Sequence, residues 1–268
     1  MRIPSQLEAL FPEKIFIMEY KTILKKAGAI FIALAFWQIA AMTIKQNILL
    51  VSPIEVFFRL TTIWKTEGFF SSLWFSFARI SMGFLLGLFF GCLMATFANR
   101  SSLFETLLWP FVVTVKTVPV ASFVVICLVW LSARNLSVLI SFMIVFPIVY
   151  QNILSGLRAR DKKLIEMANV FKVTGIRRLK LITIPELSKY IVTVSSITIG
   201  MAWKAGVAAE IIGTPAGSIG KQLHIAKMYL DTDDLLAWTV VLVLLSVVSE
   251  KIFIYLLKRG LKYGGDKS

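Results

Sequence analysis

The feature that most constrains this chain is a series of six apolar stretches, each about as long as a helix that crosses a bilayer. They lie at roughly 27–44, 76–98, 107–131, 133–156, 190–212 and 235–257. A bilayer core offers no water to unpaired backbone groups, so stretches of this length cross it as α-helices. The sequence therefore predicts an all-α membrane protein with six transmembrane helices.

Composition supports a bilayer as the main solvent. Hydrophobic residues make up 57% of the 268 residues, and charged residues only 16%. This length leaves room for one membrane domain. The net charge of +14 would suggest nucleic acid for a soluble chain. No basic run is interleaved with aromatic residues as base stacking requires, so we expect a lipid bilayer as partner and no nucleic acid.

The uneven distribution of charge predicts an orientation. Residues 157–189 hold nine Lys/Arg and three acids, and the tail 258–268 holds four Lys/Arg and one acid. The loop 213–234 holds two Lys and three Asp. Basic loops stay in the cytoplasm. We therefore expect a multi-pass protein of the cell membrane with both termini cytoplasmic. A cytoplasmic segment 1–26 precedes a six-span transmembrane domain 27–257, in which 157–189 is a cytoplasmic loop between helices 4 and 5.

Two stretches carry unusual packing signals. Gly83, Gly87 and Gly91 recur every four residues, which places them on one helix face and predicts close packing with a neighbour. Chance glycines in a glycine-rich stretch are the alternative. The third stretch contains Pro110, Lys116 and Pro119, and this combination predicts a broken helix inside the bundle.

The cytoplasmic loop has the pattern of two short helices. Leu164, Ala168 and Phe171 recur at spacings of four and three, which gives the first helix an apolar stripe. A basic stretch follows at 176–181, and Pro185 is expected to break the chain before the fifth span. An amphipathic segment resting on the lipid surface is the alternative interpretation.

This loop resembles the EAA loop of ABC-importer permeases. Glu166, Met167 and Ala168 stand at the three positions of the Glu-Ala-Ala motif, and Pro185 lies at the expected distance. Lys172 stands where the motif has glycine, and Gly175 comes three residues later.

The resemblance extends over about residues 75–257. The run Trp203–Gly213, followed by Gly217–Gly220, resembles the fifth-helix signature of the sulfonate, nitrate and taurine permease group. The pair Phe146-Pro147, followed by Asn152 and Gly156, fits the same group.

The resemblance implies the type I ABC importer fold and a set of partners. A coupling helix in the loop would dock on a cytoplasmic ATPase dimer that binds ATP and Mg, with no cofactor in this chain. A second permease copy, giving a homodimer, would complete the pathway, and an extracytoplasmic solute-binding protein would deliver a small anionic solute. The implied coupling-loop residues are Leu164, Glu166, Met167, Ala168, Phe171, Lys172, Gly175 and Pro185.

Catalytic and metal-site patterns are missing from the sequence. The string from Gly213 to Gly220-Lys221 has six residues between its glycines, where a P-loop has four. His224 is the single histidine and has no second ligand at metal-site spacing. We therefore expect no catalytic residues, no metal and no enzyme activity.

Charged residues in the predicted spans are candidates for the pathway. They are Lys116, Lys204 and Glu210, together with Trp203 beside Lys204. Lys204 suits an anionic solute, but a pairing with another helix would explain it equally well. Glu210 lies near the outer interface, where a hinge or gate role and simple solvation are both open.

The alternative function is an ion-gradient-driven secondary transporter or channel. Such a protein would carry ion-coupling acids in its spans or an internal repeat, and neither is evident. The sequence does not decide between sulfonates, taurine, nitrate and a vitamin precursor.

Overall fold

The computed structural model describes residues 11–44, 50–173, 175–178 and 182–265. The described residues form helices and no strands. The helices are α1 (Phe11–Ile44), α2 (Pro53–Thr62), α3 (Phe69–Arg100), α4 (Ser102–Thr117), α5 (Val120–Cys127), α6 (Ala133–Arg158), α7 (Lys162–Val170), α8 (Gly175–Arg178), α9 (Ile184–Gly213), α10 (Ile219–Met228) and α11 (Thr232–Gly265), with a 3-10 turn at Ile63–Lys65.

Within the described part of the chain, five helical segments are long and apolar enough to cross a membrane: Ala27–Ile44, α3, α6, α9 and Thr232–Leu261 of α11. The pair α4 and α5 meets the same criterion together but bends by 105°. The bend lies at Val118-Pro119, where Val118 has the extended conformation that a following proline favours. Pro110 lies within α4. The predicted all-α fold is confirmed, and the predicted break of the third stretch is at its second proline.

The three glycines of α3 lie against α6 in a regular register. A Cβ atom on each glycine would come within 2.7 Å of a side-chain atom on α6. The contacts are Gly83 with Ser141, Gly87 with Val145, and Gly91 with Val149. Because the residue numbers of the contacting pairs increase in the same direction on both helices, α3 and α6 run parallel. The chain must therefore return between them, and α4 and α5 make that return, which accounts for a sixth crossing.

The directions of α11 and α9 relative to α3 follow from pairs of side-chain contacts. Phe69 packs on Trp238 and Phe84 on Phe253, so α11 runs parallel to α3. The α9 helix runs the opposite way, because its Glu210 lies at Ser76, near the start of α3, while Gly206 lies at Ile80.

The bundle thus has two distinct ends. The loop end holds the last turns of α3, α6 and α11 together with the described residues between α6 and α9, which are 159–173, 175–178 and 182–183. The cap end holds the first turns of those helices together with α2 and α10. The Trp37 indole of α1 donates a hydrogen bond to the Val51 carbonyl (3.0 Å), just before α2, so α1 finishes at the cap end. The segment 1–26 is helical from Phe11 onward, and the segment 258–268 is helical as far as Gly265. Residues 1–10 and 266–268 lie outside the described residues.

Candidate translocation and coupling sites

The first short helix of the loop, α7, ends in a well-defined hydrogen-bonded turn. The Val173 N–H donates to the Ala168 carbonyl (2.8 Å), and the intervening Lys172 has a φ of 51°. This is the geometry of a Schellman motif, whose left-handed position is usually glycine. Lys172 therefore adopts the conformation of the motif glycine, although it carries a side chain. Gly175, with a φ of 59°, begins α8.

The residues of the apolar stripe predicted for α7 differ in how far they are exposed. Ala168 is only 1% exposed, so it packs within its own chain. Ala168, one of the residues implied for coupling, is therefore covered within this chain and is not part of its exposed surface. Leu164 and Met167 are partly exposed, whereas Val170 (78%) and Phe171 (73%) are largely exposed.

The two polar markers of the loop also have defined positions. Glu166 is exposed on α7. Pro185 does not break the chain before the fifth span, because it lies in the first turn of α9. Proline is accepted there, since the first helical N–H groups have no intrahelical acceptor.

At the cap end, Glu210 is completely buried. Its Oε2 accepts hydrogen bonds from the Ser76 hydroxyl (2.6 Å) and from the Gly220 N–H (3.2 Å). Simple solvation is therefore the wrong explanation for this carboxylate. A Cβ on Gly220 would lie 2.2 Å from the Glu210 Cβ, so the close approach requires glycine. Glu210 joins α3, α9 and α10.

The start of α10 is satisfied by three side chains. The Ile219 N–H donates to the Ser76 hydroxyl (3.0 Å), the Gly220 N–H to Glu210, and the Lys221 N–H to the Ser218 hydroxyl (3.0 Å). The first N–H groups of a helix lack intrahelical acceptors and carry partial positive charge, so a carboxylate stabilises them. Sequence reasoning missed the role of Ser76. Its signal is weak: Ser72 and Ser76, four residues apart, face the bundle in an apolar stretch.

A second contact ties α2 to the cap end. Arg59 forms an ion pair with Asp234 at the start of α11. The hydrogen bond to Asp234 raises the pKa of Arg59, so the arginine stays charged. Together with the Glu210 contacts, this pair connects α2, α3, α9, α10 and α11 at one end of the bundle.

The other charge of α9, Lys204, is exposed on the surface of the chain. Among the described residues it has no hydrogen-bond or ion-pair partner. It is nine residues from the end of α9, which is about 14 Å along the axis. It belongs to a stripe of exposed residues spaced by three, four or eight: Thr193, Ile197, Met201, Lys204 and Ile212.

Trp203 faces a different direction from Lys204. It is 2% exposed and lines a mainly apolar cavity of about 290 Å³ between α3, α9 and α11. The structure therefore places Trp203 and Glu210 inside the chain and Lys204 at its surface.

Lys116 lies on the exposed side of α4, in the turn before the bend. Its ammonium group donates a hydrogen bond to the side-chain oxygen of Gln151 on α6 (2.8 Å). Gln151 was not among the predicted candidates. Lys116 and Lys204 lie at different levels along the bundle. The Ser141 hydroxyl of α6 donates a hydrogen bond to the Ala202 carbonyl, which places Lys204 near the level of Ser141. Gln151, the partner of Lys116, lies ten residues farther along α6.

Comparison with known proteins identifies the family. The pattern of the family described as "Binding-protein-dependent transport system inner membrane component" matches residues 87–262, about two thirds of the chain. A Bacillus subtilis permease named for aliphatic sulfonates transport is 26% identical over 233 residues, covering 86% of this chain and 83% of the relative.

Two further relatives have similar coverage. The taurine transport system permease protein of Escherichia coli is 24% identical over 221 residues, covering 80% of each chain. The formylaminopyrimidine transport permease protein of Halalkalibacterium halodurans is 27% identical over 190 residues, covering 69% of this chain and 74% of the relative. These matches favour an ATP-driven importer over a gradient-driven transporter or channel. The chain belongs to the family of binding-protein-dependent transport system inner membrane components, and it is the permease subunit of an ABC importer.

Proposed function

We propose that two copies of this chain form a pathway for a small anionic solute, and that α7 couples this pathway to a separate ATPase. The observation that carries the pathway proposal is Lys204, a charged side chain exposed within a span and without a described partner. The domain limits belong to the same proposal: 27–257 forms the permease domain, and the loop 157–189 and both termini face the cytoplasm.

The pathway argument begins with the cost of a charge in lipid. A lysine facing hydrocarbon at the centre of a helix costs about 3 kcal/mol. The exposed stripe of α9 that carries Lys204 must therefore face water or protein when the chain is in a bilayer. A second copy related by a twofold axis would cover this stripe and bring a second Lys204 towards the first. Two lysines beside a water-filled passage favour an anion.

The solute class is supported by the names of the relatives. Two of them are named for sulfonates and for taurine, which carries a sulfonate group. The third is named for a formylaminopyrimidine, which has no such group. Lys204 favours the anionic class for this chain, including nitrate, and Lys116 with Gln151 offers a second polar position along the same route.

The coupling argument is based on the outward face of α7. Leu164, Met167, Val170 and Phe171 form an exposed apolar face on an otherwise polar loop. An amphipathic helix binds by placing such a face in an apolar groove. The groove would belong to an ATPase dimer that binds ATP and Mg and drives the cycle, while a solute-binding protein delivers the solute at the cap end.

The pathway proposal is tested by uptake into proteoliposomes that contain the chain, its ATPase and its binding protein. Radiolabelled taurine, nitrate and an uncharged pyrimidine serve as solutes. We expect Lys204→Gln to reduce anion uptake about tenfold, the effect of losing one charge-assisted hydrogen bond, and Lys204→Arg to retain most of it. Lys227→Gln, an exposed lysine outside the spans, is the matched control. Normal anion uptake by Lys204→Gln, with normal binding-protein docking, would refute the role of Lys204.

A further inference from the structure

A groove of about 460 Å³ lies on the outside of the bundle between α3 and α6. Its apolar walls come from three side chains of each helix, which are Met82, Leu86, Phe90, Val138, Leu139 and Phe142. Met82 is 56% exposed and Phe90 is 39% exposed, so the groove opens at the surface of the chain. These residues are distinct from the exposed stripe of α9 and from α7, so neither the pathway proposal nor the coupling proposal uses this groove.

The groove lies along a part of α3 that is long and apolar enough to cross the membrane. Met82 and Phe90 are eight residues apart, which is about 12 Å along the helix axis. Exposed apolar side chains at this depth of a span face hydrocarbon. In a bilayer the groove is therefore surrounded by lipid, and its apolar part fits an acyl chain.

Two arginines lie at the cap end of the groove. Arg79 precedes Met82 by three residues and Leu86 by seven, so it lies on the same face of α3. Arg134, in the first turn of α6, precedes Asn135, which lines the groove. The Arg79 Nε donates a hydrogen bond to the Arg134 carbonyl (2.6 Å), so the Arg79 side chain reaches from α3 to the start of α6.

Both guanidinium groups keep donors for a ligand. Among the described residues, neither arginine forms an ion pair, and neither the terminal nitrogens of Arg79 nor the guanidinium of Arg134 has a hydrogen-bond acceptor. The Arg79 guanidinium lies over the Phe75 ring, 4.2 Å from its centroid. Glu210 acts electrostatically on Arg79, but this carboxylate is buried and hydrogen-bonded inside the bundle. Two neighbouring guanidinium groups therefore present planar donors, which match the oxygens of a phosphate.

We propose that this groove binds one anionic phospholipid, with its phosphate between Arg79 and Arg134. One acyl chain would lie along the groove against Met82, Leu86 and Phe142. Basic residues beside membrane helices attract anionic headgroups, and an apolar groove next to them accepts the chain of the same molecule. The bound lipid would hold the start of α6 against α3. The proposal does not depend on which solute the chain transports.

The test measures lipid binding to the purified full-length chain by native mass spectrometry, which also distinguishes monomer from dimer. The probes are phosphatidylglycerol, zwitterionic phosphatidylcholine and inorganic phosphate. Each cation near an anionic headgroup contributes about fivefold in affinity, so we expect phosphatidylglycerol to bind about 25-fold more tightly than phosphatidylcholine. Arg134→Gln should weaken phosphatidylglycerol binding about fivefold. It is the deciding variant, because the Arg134 side chain is exposed and its loss removes no described hydrogen bond.

The matched control is Lys227→Gln, which removes the same charge from an exposed side chain of α10 at the same end of the bundle. Unchanged phosphatidylglycerol binding in Lys227→Gln, with weaker binding in Arg134→Gln, supports the proposal. Equal binding of the two lipids, or equal loss in both variants, would overturn it. Displacement of the lipid by inorganic phosphate at an equal concentration would also overturn it, because the ligand would then be a soluble anion.

A second variant tests the apolar part of the groove. Met82→Trp places a larger side chain at the groove and should weaken the binding of both lipids, whereas Val243→Trp, at a 51% exposed residue of α11, should not. Normal lipid binding by Met82→Trp would overturn the proposal. A smaller share of dimer in that variant would then assign the groove to a contact between two copies of the chain.

Discussion

The two ends of the bundle are stabilised in different ways. At the cap end, a buried carboxylate and two serine hydroxyls satisfy the start of α10, and an ion pair connects α2 to α11. At the loop end, Leu164, Met167 and Val170 of α7 are exposed, and the turn that ends α7 places a lysine in a left-handed conformation. At the cap end, the backbone groups that begin α10 are satisfied within the chain, while Met228 and Tyr229 at the other end of α10 stay exposed. The loop end leaves apolar surface uncovered, as expected of a helix that is completed by a partner.

The largest predicted loss of stability is at the cap end, where a substitution of Glu210 disrupts the contacts of α10. Glu210→Ala removes the acceptor of the Ser76 hydroxyl and of the Gly220 N–H, and leaves both buried groups unpaired. We expect the free energy of unfolding to fall by about 3 kcal/mol. Thermal unfolding of the detergent-purified protein measures this loss. Lys204→Ala, six residues away on the exposed stripe, should leave the midpoint nearly unchanged. Equal midpoints for the two variants would mean that the Glu210 contacts contribute little.

A somewhat smaller loss is predicted for Gly220→Ala. The added methyl group would lie 2.2 Å from the Glu210 Cβ and 2.6 Å from its carbonyl carbon, so α10 must move away from α9. Forcing an extra carbon into a packed site costs about 2 kcal/mol. The control is Gly200→Ala, where nothing lies within 4 Å of the new methyl group and the helix should gain stability. The same unfolding assay applies, and a stable Gly220→Ala protein would contradict the close approach.

A gain of about 1 kcal/mol is predicted at the loop end from Lys172→Gly, because glycine adopts the left-handed conformation without the Cβ penalty. The gain is local, so hydrogen exchange of the α7 amides is the suitable measurement, and exchange should slow about fivefold. Lys172→Ala removes the charge and keeps the strained conformation, and should show no such slowing. If both variants slow exchange equally, charge and not backbone conformation limits this turn.

The smallest effect on stability is predicted for the double variant Val170→Ser and Phe171→Ser. Both side chains are exposed in the isolated chain, so unfolding should change by less than about 0.5 kcal/mol. Retention of the ATPase during co-purification should nevertheless fall sharply. Tyr229→Ser, at an 82% exposed residue of the cap end, is the control and should leave the ATPase bound. Full retention of the ATPase by the double variant would argue against docking through this face.

Much of the fold follows from the sequence, because span length and helix-breaking prolines are local properties. The α3 glycines also showed their common face by spacing alone. The function of individual charges did not follow. Glu210 is satisfied by Ser76, which is 134 residues away in the chain, and no local pattern indicates such a pairing. The periodicity of α7 placed Ala168 on an apolar stripe but could not distinguish the side that packs on its own chain from the side that stays exposed.

The continuity of α9 has a mechanical consequence. Its 30 residues run without interruption from the loop end to the buried carboxylate that holds α10, a length of about 45 Å. A rigid rod of that length pivoting by about 10° displaces its far tip by about 8 Å, more than one helical turn. A small rotation imposed beneath the membrane would therefore become a displacement comparable to the width of a small solute on the opposite face.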